Sequence, residues 1–271
     1  MGRHALLSAS ASHRWLACPP SARLCAGLED KGSPYAQQGT DAHSLCQHLV
    51  EAALGRHTRD PTADLAFYDA EMQICAEAYR DFTMDAVAAA WQVCGDPLVL
   101  VEQKVDYSRW VPEGYGYCDC LIVCDAYIHV IDFKYGSLVV PAERNPQLMC
   151  YALGGIDTFG CLYNIRSVRL GIFQPRREHF DTYEMPLEEL LTWADGVLSP
   201  TAKLAYAGRG EFCAGAHCRF CRAKDSCPKR GEYRLELAKH EFELADLEES
   251  KTDKPLLAAG NFDERQEQKN G

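Results

Sequence analysis

The order of apolar and polar positions divides the chain into a helical first third, a strand-rich middle and a mixed end. Ser8 or Ser10 can cap a helix running through Trp15 and Leu16 towards Cys18, where Pro19-Pro20 interrupt it. Gly32-Ser33-Pro34 reads as a turn. A second helix is expected from about Thr40 or Asp41, with His43, Gln47 and Glu51 four apart on one face. A long amphipathic stretch from about Asp69 to Cys94 predicts a third, closed by Gly95-Asp96-Pro97. Branched residues then take over. Strands are expected over Leu98–Val105, Tyr117–Cys124 and Tyr127–Lys134, the last two joined tightly at Asp125-Ala126. Past Gly136 the chain loops to Pro146, and a helix follows from Gln147 through Tyr151 to Leu153. Strands at Val168–Gln174 and His179–Glu184 precede a helix from Leu187 to about Tyr206. An irregular, cysteine-bearing stretch from Gly208 to Arg230 leads into a charged helix to about Leu247. From Glu248 the chain is polar, the composition of a disordered tail. The alternation of strands and helices predicts an α/β fold with a central mixed sheet flanked by helices.

Composition narrows the possible functions. Hydrophobic residues make up 47% of the 271, enough for a substantial core. No window approaches the roughly 18 apolar residues of a membrane span, so no membrane partner is expected. The start does not read as a signal peptide. The net charge of -11 argues against broad, non-specific nucleic-acid binding, although basic residues outnumber acidic ones between Cys213 and Lys239. Of 14 cysteines, several stand singly in apolar surroundings (Cys46, Cys75, Cys94, Cys150, Cys161), where they act as small buried hydrophobes. A reducing, cytoplasmic setting fits this usage, and there clustered cysteines point to metal rather than to disulfides.

Two constellations carry chemistry. In the first, Asp132 and Lys134 share a strand face with Val130 and Ile128. If Asp125-Ala126 centre the hairpin, partners across it have numbers summing to 251, which sets Asp119 opposite Asp132. Opposed side chains have Cβ atoms roughly 4.5–5.5 Å apart, and two like charges so placed repel unless a cation lies between them. Two carboxylates suit Mg²⁺ or Mn²⁺, and a lysine two residues on can approach a scissile phosphate. A bare Asp-x-Lys also ends strands at a solvent edge. The second constellation is Cys18 together with Cys218-x2-Cys221-x5-Cys227, four thiolates able to hold zinc or an iron–sulfur cluster and to clamp the two chain ends together. Cys213 offers an alternative, because Cys213, Cys218, Cys221 and Cys227 form a complete local zinc set without Cys18.

Gly116-Tyr117-Cys118-Asp119 followed by Val130-Ile131-Asp132-Phe133-Lys134-Tyr135-Gly136 resembles the core motif of the PD-(D/E)XK nucleases. Asn145-Pro146-Gln147-Leu148-Met149-Cys150-Tyr151 resembles the Gln-x3-Tyr motif of their RecB-like branch, and Gly39-Thr40-Asp41-Ala42-His43 is similar to that branch's histidine helix. The layout of one early and three late cysteines is similar to RecB-like nucleases with iron–sulfur clusters. His217-Cys218-Arg219-Phe220-Cys221 is similar to a phage-associated uncharacterised family with this core. The resemblance implies a restriction-endonuclease-like core over residues 1–247, with a cysteine-bound lobe from about 8–30 and 208–231 and a polar tail at 248–271. It implies a metal-dependent DNA exonuclease of phage or prophage recombination or repair, with DNA and a phage recombination protein as partners. His43, Asp119, Asp132 and the Phe133 carbonyl would bind Mg²⁺ or Mn²⁺. Lys134 would be the catalytic lysine, with Gln147 and Tyr151 positioning it or the phosphate. Glu102 on the first strand either assists or is a surface charge. Cys18, Cys218, Cys221 and Cys227 would hold a 4Fe-4S cluster, with Zn²⁺ as the alternative. Two further readings stay open: a non-cleaving DNA-binding accessory protein, and a zinc-stabilised interaction module.

Overall fold

The computed structural model describes residues 5–29 and 32–239, so the tail expected after Glu248 lies outside the described residues. These residues fall into two units, one ending at Cys227 and one beginning at Pro228. The second contributes a helix over 228–239. The boundary expected at 247 also lies outside the described residues.

The first unit is an α/β fold built on a five-stranded mixed sheet in the order β1 (Leu98–Asp106), β2 (Tyr115–Val123), β3 (Ala126–Phe133), β4 (Ile165–Gln174), β5 (His179–Pro186). β1, β2 and β3 form an antiparallel meander. Helix α5 (Pro146–Phe159) then carries the chain across one face, so that β4 runs parallel to β3, and β5 returns antiparallel. The hairpin register follows the expected sum of 251, with Cys120 opposite Ile131 and Val123 opposite Ile128. It stops there. Asp119 and Asp132 lie one step beyond the last ladder pair, because Asp119 Oδ2 takes the Phe133 N–H at 2.7 Å in place of a backbone carbonyl.

Helices cover both faces. On one, α5 buries Leu148, Met149 and Ala152 against Val105, Leu121, Val130 and Leu170. Gly155 permits the close approach: a Cβ there would meet Ile128 Cδ1 at 2.6 Å and Leu121 Cδ2 at 3.0 Å. On the other face α3 (Pro34–Ala53) and α4 (Ala70–Trp91) pack over Cys120, Ile122, Ile131, Phe133 and Phe173. Tyr79 of α4 meets the rings of Phe133 and Phe173 edge-on.

Two expectations need correction, and one helix is added. Gly32-Ser33-Pro34 is the entry to α3 rather than a separate turn: Ser33 caps it by accepting the Ala36 N–H at 3.0 Å, and Pro34 has no N–H to leave unpaired. The helix therefore starts well before Thr40. Pro19-Pro20 interrupt the first helix, α1 (Ser12–Ala17), as expected, and a short helix not expected, α2 (Ser21–Ala26), follows them, since a proline ahead of a first turn starts a helix as readily as it ends one. The stretch from Leu187 is interrupted by a wide turn at Ala194–Leu198 between α6 (Leu187–Trp193) and α7 (Ser199–Tyr206). Among the described residues no helix is long and apolar enough to cross a membrane.

Candidate active site and cysteine lobe

The break in the β2–β3 ladder is where the chemistry-bearing side chains gather. Asp119 uses one oxygen on the Phe133 N–H and faces His43 of α3 with the other, Oδ1 to Nδ1 at 3.3 Å. The His43 ring rests edge-on against Phe133, centroids 5.4 Å apart. Asp41, two residues earlier on α3, is a brace: its carboxylate accepts from Gln37 Nε2 at 2.8 Å and from the Phe67 N–H at 2.9 Å, tying a loop to the helix.

Glu102 completes a cluster. Its position is opposite Asp119 by the β1–β2 register, but its own pairing is missing and its backbone is left-handed at φ 48°. A non-glycine residue in that region is held against a cost of about 1–3 kcal/mol. Ligand atoms of His43, Glu102 and Asp119 all lie within 4.8 Å of one another. An ion with about 2.1 Å bonds sets its opposite ligands about 4.2 Å apart, so one nitrogen and two carboxylate oxygens in this space fit a single Mg²⁺ or Mn²⁺.

The charges fit a cation-ready site. Burial pushes the Glu102 carboxyl up to about 7, and the Asp119 charge adds to the shift. Burial opposes a charged His43, but the Asp119 carboxylate outweighs it and holds the imidazole up at about 9. Asp119 is correspondingly lowered: burial works against its charge, and His43 more than offsets it.

Asp132 sits on the other side of the break, facing α5. It is 1% exposed, and Oδ2 pairs with Lys134 Nζ at 2.7 Å. Asn145 caps α5 by accepting the Gln147 and Leu148 N–H groups, and Pro146 fills the first helical position. This sets Gln147 in the first turn. Its Oε1 accepts from Lys134 Nζ at 3.0 Å; its Nε2 donates to Asp132 Oδ1 at 2.8 Å and lies 3.3 Å from Tyr151 OH. Lysine only donates and an ionised carboxylate only accepts, so the amide has one workable orientation. Burial pushes Asp132 up. Burial opposes the Lys134 charge, but Asp132 outweighs it, and the ammonium is held above its usual value. Tyr151 packs under Gly116, where a Cβ would come within 2.7 Å of its ring.

Thus His43, Glu102 and Asp119 form one cluster, and Asp132, Lys134, Gln147 and Tyr151 form a hydrogen-bonded group beside it. Asp132, expected among the metal ligands, is engaged by Lys134 and Gln147. Glu102, left between two roles by sequence, stands in the cluster. Its place opposite Asp119, in a β1–β2 register that holds on either side of it, was the available signal.

The early and late cysteine segments meet. α1 packs against the turn Ala216–Phe220, the His13 and His217 ring centroids are 6.3 Å apart, and Arg222 donates to the Leu28 carbonyl at 3.1 Å. Cys18 and Cys221 are buried, Cys218 and Cys227 partly so, and Cys213 is exposed. His217 is turned onto the Cys213 carbonyl, 2.9 Å away. Sequence reasoning missed Cys25, whose sulfur lies 3.5 Å from that of Cys221 in a small apolar patch with Ala223. Its signal was weak: a lone cysteine on an apolar helix face reads as core.

A family model described as "Protein of unknown function (DUF2800)" matches residues 4–263. The chain belongs to that family. Among solved structures, the one titled "Crystal structure of SSO0001" is similar to this DUF2800 member at 13% identity and a TM-score of 0.30, over 71% of this chain and 98% of that one.

Proposed function

We propose that this DUF2800 protein is a metal-dependent deoxyribonuclease with a PD-(D/E)XK, RecB-like core, acting on DNA ends. The observation that carries the reading is the adjacency of two groups: a His43–Glu102–Asp119 cluster fit for a hard cation and an Asp132–Lys134–Gln147 network beside it. A structural arrangement alone gives no reason to gather so many ionisable groups, Asp132 buried and the others half-buried, beside the strained backbone of Glu102. The order of motifs along the chain agrees with the same chemistry.

When bound, Mg²⁺ or Mn²⁺ would lower the pKa of a water and polarise the phosphate. The remaining work falls to the protein's own side chains. Lys134, kept protonated by Asp132, places a fixed positive charge where a phosphate oxygen gains negative charge. Gln147 holds both partners of that ion pair, so the ammonium does not swing away. Tyr151 supports Gln147 and is itself seated by Gly116. The Phe133 N–H fixes Asp119 so that its second oxygen stays directed at His43.

The ends of the first unit bring one thiol from each segment together, Cys25 and Cys221, while among the described residues no three cysteine sulfurs lie within 4.8 Å of one another, so a cysteine-bound centre rests on the motif layout. A 4Fe-4S cluster on Cys18, Cys218, Cys221 and Cys227 is the reading the motif layout favours; zinc, with Cys213 or with Cys25, is the competing one. Its role is structural, closing a long chain segment around the core.

The deciding experiment is incubation of end-labelled single- and double-stranded DNA with Mg²⁺, Mn²⁺ or EDTA. Asp132→Ala and Lys134→Ala should each abolish metal-dependent cleavage while circular dichroism stays unchanged. Wild-type cleavage in either variant, or activity that survives EDTA, removes the assignment.

A further inference from the structure

Beside the acidic cluster the same sheet face carries exposed residues that the proposed chemistry does not use. Val105 and Cys118 point into the core under α5, and Gly116 lies against Tyr151 of α5. By the alternation of a strand, Lys104 and Tyr117 therefore face the opposite way, the side on which His43 meets Asp119. Lys104 and Tyr117 are direct partners in the β1–β2 ladder. Each stands two residues from a member of the cluster, Lys104 from Glu102 and Tyr117 from Asp119, about 7 Å along its strand. Tyr117 is 55% exposed, and Lys104 is exposed with its ammonium 4.6 Å over the ring of Tyr115. β3 no longer pairs with β2 here, so this end of β2 projects past the ladder.

An exposed tyrosine face beside a lysine, two residues along the strands from a cation-ready carboxylate pair, matches a nucleotide in its parts. The ring stacks on a base and the ammonium meets a phosphate. Stacking needs a base whose face is open, which a paired duplex does not offer inside its helix. The net charge of -11 works in the same direction, because little long-range attraction holds a duplex and local contacts must supply the affinity. We propose that Tyr117 and Lys104 form a subsite for the unpaired nucleotide next to the cleaved bond, which makes single-stranded DNA the substrate class. The proposal rests on the nuclease reading for the meaning of "cleaved bond", but the subsite itself is a binding claim.

The test is fluorescence anisotropy with labelled oligonucleotides of one length in Ca²⁺: oligo-dT, an abasic strand, the corresponding duplex and oligo-U. The wild-type protein should bind oligo-dT more tightly than the abasic strand, the duplex or oligo-U. Tyr117→Ala should weaken oligo-dT binding about tenfold and leave abasic binding unchanged, the effect expected from losing one stacked base. Tyr117→Phe should restore binding, and Lys104→Ala should weaken the dT and abasic strands alike. Oligo-dT binding by Tyr117→Ala within twofold of wild type overturns the subsite, as does a Phe variant as weak as Ala. Tighter binding of duplex overturns the single-strand assignment, and tighter binding of oligo-U overturns DNA. Cleavage in Mn²⁺ is read separately. Cleavage with no Tyr117 effect on binding sinks this proposal alone; Tyr117-dependent binding with no cleavage sinks the nuclease reading alone.

Discussion

Metal binding at the His43–Glu102–Asp119 cluster should be strongly coupled to proton release. His43 is held at about 9 and Glu102 at about 7 in the metal-free protein, and both must shed their protons to act as ligands. At pH 6, His43 sits about three units below its midpoint and Glu102 about one, so proton competition weakens binding about 10⁴-fold relative to the deprotonated site. At pH 8 only His43 still competes, by about tenfold. The apparent affinity for Mn²⁺ should therefore rise about 10³-fold from pH 6 to pH 8, about 4 kcal/mol. Isothermal titration calorimetry at pH 6, 7 and 8, each in two buffers of different ionisation enthalpy, measures the affinity and counts the protons. About two should leave per ion at pH 6 and about one at pH 8. The metal-free fold responds in the opposite sense. The His43–Asp119 pair raises a histidine from 6.5, so its contribution is complete below about 6.5 and is lost as the pH climbs through about 9. An affinity flat between pH 6 and pH 8, with no proton release, would refute the claim that these three side chains are the ligands.

Two further outcomes follow from packing and from the cysteines. Gly155→Ala should destabilise the fold by about 1–3 kcal/mol in a urea titration, because the new methyl group meets Ile128 and Leu121 side chains at the closest approach of α5 to the sheet; an unchanged midpoint would show that the helix can shift at no cost. Protein purified without oxygen should be brown and contain iron and sulfide, with the colour lost in Cys18→Ala and kept in Cys213→Ala. A colourless protein holding one zinc would overturn the cluster reading, and loss of that zinc in Cys25→Ser would place the Cys25–Cys221 pair in the zinc site.

Much of the sheet could be read from the chain because period-two burial leaves a strong mark. Val130 and Ile128 fix the phase of β3, and with the tight Asp125-Ala126 link that phase determines the register with β2. Helix starts were harder, since Ser33-Pro34 serves equally as a turn and as a cap, and only contact with the rest of the fold decides. The site was legible where a residue breaks its surroundings: Asp132 in an apolar strand, Gln147 after an Asn-Pro pair. It was not legible where tertiary structure alone decides. No local pattern distinguishes Cys25 from Cys46 or Cys75, yet only Cys25 meets the late cysteine segment.

The location of the site follows from what a regular sheet would forbid. Had the β2–β3 ladder continued two more pairs, Asp119 would have faced Asp132 across a closed strand pair and the Phe133 N–H would have gone to the Cys118 carbonyl. Instead Asp119 spends one oxygen on that N–H, which satisfies the backbone and turns its second oxygen to His43. The two carboxylates thereby part to different faces, Asp119 to α3 and Asp132 to Gln147 on α5. Glu102 leaves its own ladder position on the neighbouring strand, at the same level of the sheet. The left-handed backbone of Glu102 alone costs about 1–3 kcal/mol in a domain whose net stability is only about 5–15 kcal/mol. Strain concentrated in this way persists where the surrounding structure over-determines it, and it collects at sites that bind or react. The irregularity of β1, β2 and β3 at this level is therefore an argument for function that is independent of any motif.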